Sequence, residues 1–219
     1  MDAHNFTALP SPAVYVLING QRWKQGQAAF DDQVIQLIKA GVCLIQFRDK
    51  TISDRAHVAA GERLSQLTKA TPTAWIMNDR VDLAIAAGAH GVHLGQDDLP
   101  IEVARKMMPQ GALIGVSTHS IQQARAAEAS GADYIGVGPV FESETKHFSD
   151  FVGVDLVTAV ANEIKVPAFA IGGINLENVS QIHDAGVCRI AVSGVVNATE
   201  NPGTTVEQLL SVLSGKDSE

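Results

Sequence analysis

WIMNDRVDLAIAAGAHGVHLGQDD, residues 75–98, decides the fold. It reads as a strand ending in Asn78-Asp79, then a short helix running to the Gly88-Ala89-His90-Gly91 turn. A second strand, 92–94, runs out into Gln96-Asp97-Asp98. Two parallel strands joined by a helix place both strand ends on the same side of a sheet. Asp79 and Asp98 therefore converge at one rim, where paired carboxylates can share a hard cation such as Mg²⁺.

The same unit repeats in both directions from this stretch. Strands are expected at 13–18, 42–47, 73–77, 91–94, 112–116, 133–137, 167–171 and 189–192. Helices fall between them, with apolar periodicity at 30–40, 53–69, 120–130, 154–164 and 176–185 and a closing helix at 205–213. Pro100 sits where the first turn of a further helix, to 108, tolerates it. Strand and helix alternate with no break in composition, which predicts a single-domain (β/α)₈ TIM barrel over residues 13–214. An open doubly wound sheet satisfies the same alternation. Residues 1–12 are polar and punctuated by Pro10 and Pro12, so they read as a flexible tail, and 215–219 as a second one.

Composition narrows the function classes. The chain has 219 residues, 46% hydrophobic and 18% charged, enough apolar material for a core and unlike a disordered segment. A net charge of −8 argues against a general nucleic-acid surface. The two cysteines, Cys43 and Cys188, lie in apolar runs and form no disulfide framework or metal motif. No apolar run reaches the ~18 residues of a membrane span, so a cytoplasmic location is the default expectation.

In a barrel the chemistry gathers at the C-terminal strand ends. Gln46, Arg48 and Lys50 are spaced by two, hence on one face of an extended strand. They suit an anion, with Arg48 able to grip a phosphate through two bonds. Equally, they fit a strand fraying into solvent with ordinary surface charge. Asn78 or Asp79 also fits the cap of the helix near Val81, and Asp97-Asp98 a plain polar loop. Ser117-Thr118-His119-Ser120 follows the fifth strand, where Ser120 or His119 can simply open the next helix. The loop from Gly138 through Glu142-Ser143-Glu144-Thr145-Lys146 to Gly153 is long for a compact domain, as lids are. Gly172-Gly173 and Ser193-Gly194 follow strands seven and eight, the common location of a backbone phosphate site in such barrels.

With these pieces in order, the chain resembles thiamine phosphate synthase from about residue 14 to 213. QFRDK (46–50), NDRVDLA (78–84), GVHLGQDD (91–98), GVSTHS (115–120), GADYIGVGPVF (131–141), TK (145–146), AIGGI (170–174) and AVSG (191–194) carry the resemblance. It implies a transferase of thiamine biosynthesis that joins hydroxymethylpyrimidine pyrophosphate to hydroxyethylthiazole phosphate with Mg²⁺. Gln46, Arg48, Lys50 and Asn78 would then hold the pyrimidine pyrophosphate, and Asp79 and Asp98 the Mg²⁺. Ser117 would lie by the pyrophosphate and the reacting carbon, and Ser143, Thr145 and Lys146 would close the lid. Lys146, Ser117 and Arg48 would stand nearest the chemistry, while Gly173, Ser193 and Gly194 would take the thiazole phosphate. The partners implied are small molecules, with a homo-oligomer left open. One departure stands out: Glu142 occupies a lid position where the family usually has proline. A related isomerase, the thiazole tautomerase, is the alternative, with His119 moving protons. A non-catalytic paralogue that binds thiazole phosphate is the third reading.

Overall fold

The computed structural model describes residues 9–142 and 151–215. In chain order the first half reads β1 (Ala13–Ile18), α1 (Gln21–Gln25), α2 (Gln27–Lys39), β2 (Leu44–Phe47), α3 (Asp54–Thr68), β3 (Ala74–Asn78), α4 (Val81–Ala87), β4 (Gly91–Leu94) and α5 (Ile101–Met107). The second half reads β5 (Leu113–Thr118), α6 (Ile121–Ala129), β6 (Tyr134–Val137), α7 (Gly153–Glu163), β7 (Ala168–Ile171), α8 (Val179–Asp184), β8 (Arg189–Val192), α9 (Gly194–Asn197) and α10 (Pro202–Leu213). Every strand pairs in parallel with its sequence neighbours, and β8 closes onto β1 through Tyr15 opposite Ala191. The (β/α)₈ barrel is therefore the fold, and the open sheet is excluded. Among the described residues no helix is long and apolar enough to cross a membrane.

Strands covered on both faces read as apolar runs, which is why they were legible. In β1, Val14, Val16 and Ile18 pack outward with the helices, while Ala13, Tyr15 and Leu17 join the barrel interior. The interior is centred on Tyr15, Tyr134 and Phe169, whose rings meet edge to face at 5.5–5.8 Å, the favoured arrangement for aromatic quadrupoles. Gly115 makes room for them: a Cβ there would stand 2.1 Å from the Tyr134 ring.

Several helix ends are fixed by capping residues. Ser53 and Ser120 accept hydrogen bonds from the amides of Ala56 and Gln123, capping α3 and α6. Gly88 ends α4 in the left-handed conformation, at φ 69°. Four differences from the sequence reading have physical causes. Helix α1 buries no side chain and α9 has four residues, so neither carries an apolar stripe. Strand β5 runs on to Thr118, which turns Ser117 into the barrel mouth. Pro100 is the residue before the first helical turn of α5, not within it. The flexible-tail expectation is corrected for its last residues: Leu9 is 8% exposed and packs with the barrel interior. Arg189 holds that segment by donating to the carbonyls of Pro10 and Leu9 at 2.7 and 3.3 Å.

Candidate active site

The rim begins with backbone geometry at Asp79. The amide of Arg80 donates to the carbonyl of Asn78 at 2.7 Å, and Asp79 between them has a φ of 61°. This is the positive-φ form of a γ-turn, which is rare and strained. Such strain persists only where the surroundings dictate it, and it collects at functional sites. The Asp79 amide donates to the His93 carbonyl at 2.8 Å, which ties the turn to β4. Neither Asn78 nor Asp79 caps α4; Arg80 is the N-cap and makes no side-chain cap bond. The capping alternative is therefore set aside.

The turn aims the Asp79 carboxyl into hydrogen-bonding contact with Asp98. Asp98 is itself fixed, one oxygen accepting from the Gly95 amide at 2.6 Å. Burial, then the charge of Asp98 and the hydrogen bond to it, push the Asp79 carboxyl above its ordinary pKa against the opposing pull of Lys50 and Asn78. Lys50 Nζ stands 3.9 Å from Asp79 Oδ2. Two carboxylates this close repel unless a cation or proton lies between them, and this donor set suits a small hard dication. Among the described residues no group of three or more His, Cys, Asp and Glu is gathered for a metal. A cation held here would need its other ligands from water and phosphate oxygens, as Mg²⁺ commonly does.

On β2 the three spaced polar residues separate. Gln46 is 2% exposed and lies in the barrel interior, its amide nitrogen donating to the Tyr15 hydroxyl. Arg48 and Lys50 stand beyond the strand end, at the rim. Their loop is latched by Asp49, which accepts from the Thr51 amide and hydroxyl at 2.6 Å each. Lys24 on α1 bonds both Asp49 Oδ2 at 3.0 Å and Thr51 Oγ at 2.7 Å. Burial opposes ionisation of Asp49, but Thr51 and Lys24 together outweigh it and hold the carboxyl well below the usual carboxylate range.

Ser117 Oγ lies 3.0 Å from His93 Nε2, and Gln96 donates to the Ser117 carbonyl at 2.6 Å. His93 was missed in the sequence, though an imidazole within the apolar run VHL was a signal. His119 bonds the Gly138 carbonyl through Nδ1, and its amide donates to Gln123 at 2.7 Å, so it ties β5 to the root of the β6 loop. After β7, Gly172 and Gly173 have φ values of 104° and 64°. After β8, Ser193 Oγ donates to the Leu17 carbonyl at 3.0 Å and precedes Gly194 at the start of α9. Asn197 supports that turn, donating to the same carbonyl at 2.8 Å. Ser143, Thr145 and Lys146 lie outside the described residues.

A single-domain (β/α)₈ barrel with a carboxylate pair, cations and glycine turns at its C-terminal rim is the frame on which barrel enzymes frequently build phosphate sites. The chain belongs to the thiamine monophosphate synthase family, whose sequence model matches residues 14–196. It is 47% identical over 171 residues to the thiamine-phosphate synthase of Halalkalibacterium halodurans, covering 77% of this chain and 81% of that one. It is 38% identical over 180 residues to the thiamine-phosphate synthase of Prochlorococcus marinus, covering 82% of this chain but 52% of the relative. The chain thus spans about half the length of that relative. The structure of the thiamine phosphate pyrophosphorylase of Pyrococcus furiosus superposes with a TM-score of 0.81 at 32% identity, covering 94% of this chain and 97% of the other.

Proposed function

We propose that the protein is a thiamine phosphate synthase, condensing hydroxymethylpyrimidine pyrophosphate with hydroxyethylthiazole phosphate to give thiamine phosphate and pyrophosphate. The observation that carries this reading is the contact of Asp79 with Asp98 beside Lys50, on a strained turn at the barrel mouth. The family supplies the substrates; the rim supplies a place where a pyrophosphate can leave.

Asp79 and Asp98 would hold Mg²⁺, which when bound supplies positive charge to the pyrophosphate oxygens. Arg48 and Lys50 bind the same oxygens from the β2 side and stabilise the charge that grows as the carbon–oxygen bond breaks. Lys146, with Ser143 and Thr145, would add contacts to the same oxygens, as the family resemblance implies. The bond between the pyrimidine methylene and pyrophosphate breaks first, and the thiazole nitrogen captures the resulting cation. The backbone amides of Gly173 and Gly194, with Ser193, hold the thiazole phosphate in position for that capture. No side chain acts as a nucleophile. Small molecules are the partners and the cytoplasm the site of action in this reading.

Coupling itself is the test. Purified protein with both substrates is expected to release thiamine phosphate and pyrophosphate with Mg²⁺ and almost none with a chelator. Isomerised thiazole phosphate without coupling would overturn the reading and move the chemistry to His119.

The Asp49 latch gives a second expected result. In Asp49→Asn the Lys24 ion pair is lost, and the loop carrying Arg48 and Lys50 loosens. The KM for the pyrimidine pyrophosphate should rise about fivefold, the equivalent of roughly 1 kcal/mol of hydrogen bonding, with the thiazole KM unchanged. Equal changes in both constants would show that the latch serves the whole barrel instead.

A further inference from the structure

A chain of polar groups crosses the otherwise apolar barrel interior. It runs from the Gln46 amide nitrogen to Tyr15 Oη, from there to Tyr134 Oη at 3.1 Å, and on to His93 Nδ1 at 3.2 Å. His93 Nε2 then meets Ser117 Oγ at 3.0 Å. Tyr15 and Tyr134 are 2% and 0% exposed, so the chain is sealed from solvent except at its Ser117 end. An apolar barrel needs none of these groups, and each must be satisfied internally.

The direction of the chain follows from its first member. An amide nitrogen only donates, so Gln46 fills a lone pair on Tyr15 Oη. Among the described residues Tyr15 Oη bonds only Gln46 and Tyr134. If Tyr134 also donated to Tyr15, the Tyr15 hydrogen would be buried without an acceptor, which protein interiors seldom tolerate. Tyr15 therefore donates to Tyr134, and Tyr134 donates to Nδ1 of His93.

We propose that this wire makes His93 a positioning residue, held as the Nε2–H tautomer that donates to Ser117 Oγ and leaves the Ser117 hydrogen free to point into the site. The consequence is chemical. A serine 3.0 Å from a histidine looks like a nucleophile and its base. Here Nε2 already carries a proton and the Nδ1 lone pair is taken, so His93 cannot accept the serine proton. Ser117 becomes a hydrogen-bond donor to a leaving anion. That last role rests on the synthase reading above; the tautomer does not.

The test starts without substrate. Long-range ¹H–¹⁵N correlation spectra of ¹⁵N-histidine protein at pH 7 are expected to show His93 with Nε2 protonated and Nδ1 bare. A protonated Nδ1, or an imidazolium, overturns the inference whatever the protein synthesises. In Tyr134→Phe, which keeps the ring and removes only the hydroxyl, the two nitrogen shifts should move toward each other as both tautomers populate; Tyr15→Phe is the second break point if that variant folds poorly. Under coupling assay, Tyr134→Phe should lower kcat about tenfold with the pyrimidine KM held within about twofold. In a Ser117→Ala background the same change should have no further effect, the mark of action through Ser117. Additive losses would assign the wire to packing alone and overturn it.

Discussion

Asp79→Asn is expected to lose turnover by about 10²–10³-fold while the protein melts at the same temperature or about 2 °C higher. Asn keeps the size of the side chain and tolerates positive φ, so the strained turn at φ 61° survives the change. What disappears is one of two negative charges in contact at the rim. Burial and the neighbouring Asp98 charge both disfavour ionised Asp79, so its carboxylate costs stability in the folded protein. Removing that charge relaxes the pair, a small gain where function had stored a penalty. The same logic gives a readout that needs no substrate. Added Mg²⁺ should raise the melting temperature of the wild-type protein by binding the folded state, and should fail to raise that of Asp79→Asn. Undiminished turnover would remove the metal assignment. A fall in melting temperature of many degrees would instead make Asp79 a structural residue of the β3–α4 turn.

The acid pair was legible because two parallel strands and a helix dictate where their ends lie, whatever the rest of the chain does. The alternation of apolar strands and amphipathic helices likewise carried the barrel. What escaped the sequence depended on closure. Residue spacing by two fixes the side of a strand but not the height along the barrel axis, so Gln46 was grouped with Arg48 and Lys50 although it sits in the interior. His93, Tyr15 and Tyr134 come from three strands that touch only across the closed interior, and no local pattern joins them. The left-handed turn at Asp79 is set by its bond to the β4 backbone and has no signature of its own. Lys24 was hidden for another reason: α1 buries nothing, so the helix that presents the latch lacks periodicity.

Gly173→Ala should be the most damaging single-methyl change at the rim, because it acts on two sites at once. Its φ of 64° is one that Ala adopts only at a cost. A Cβ there would also stand 2.2 Å from the Glu142 carbonyl oxygen and 2.8 Å from the Phe141 Cβ. Those residues cannot easily yield, since the Phe141 amide is bonded to the Gly172 carbonyl at 3.0 Å and the Val140 amide to that of Ile171 at 2.9 Å. The glycine turn and the root of the β6 loop are thus zipped together, and the Gly173 carbonyl is held in turn by Asn178 Nδ2 at 2.8 Å. Pushing Gly173 back would misplace the amide proposed to hold the thiazole phosphate; pushing Glu142 away would displace the backbone that leads into the sequence before Lys146. We expect a stability loss of about 2–4 kcal/mol in urea unfolding. A misplacement of about 1 Å costs roughly 10²-fold in rate, and kcat should fall by that order as the thiazole KM rises. If KM for the thiazole phosphate rises alone, the turn has moved and the loop has held. If kcat falls alone, the loop root has given way, and the backbone at Glu142, not the glycine amide, is the part of this contact that catalysis requires.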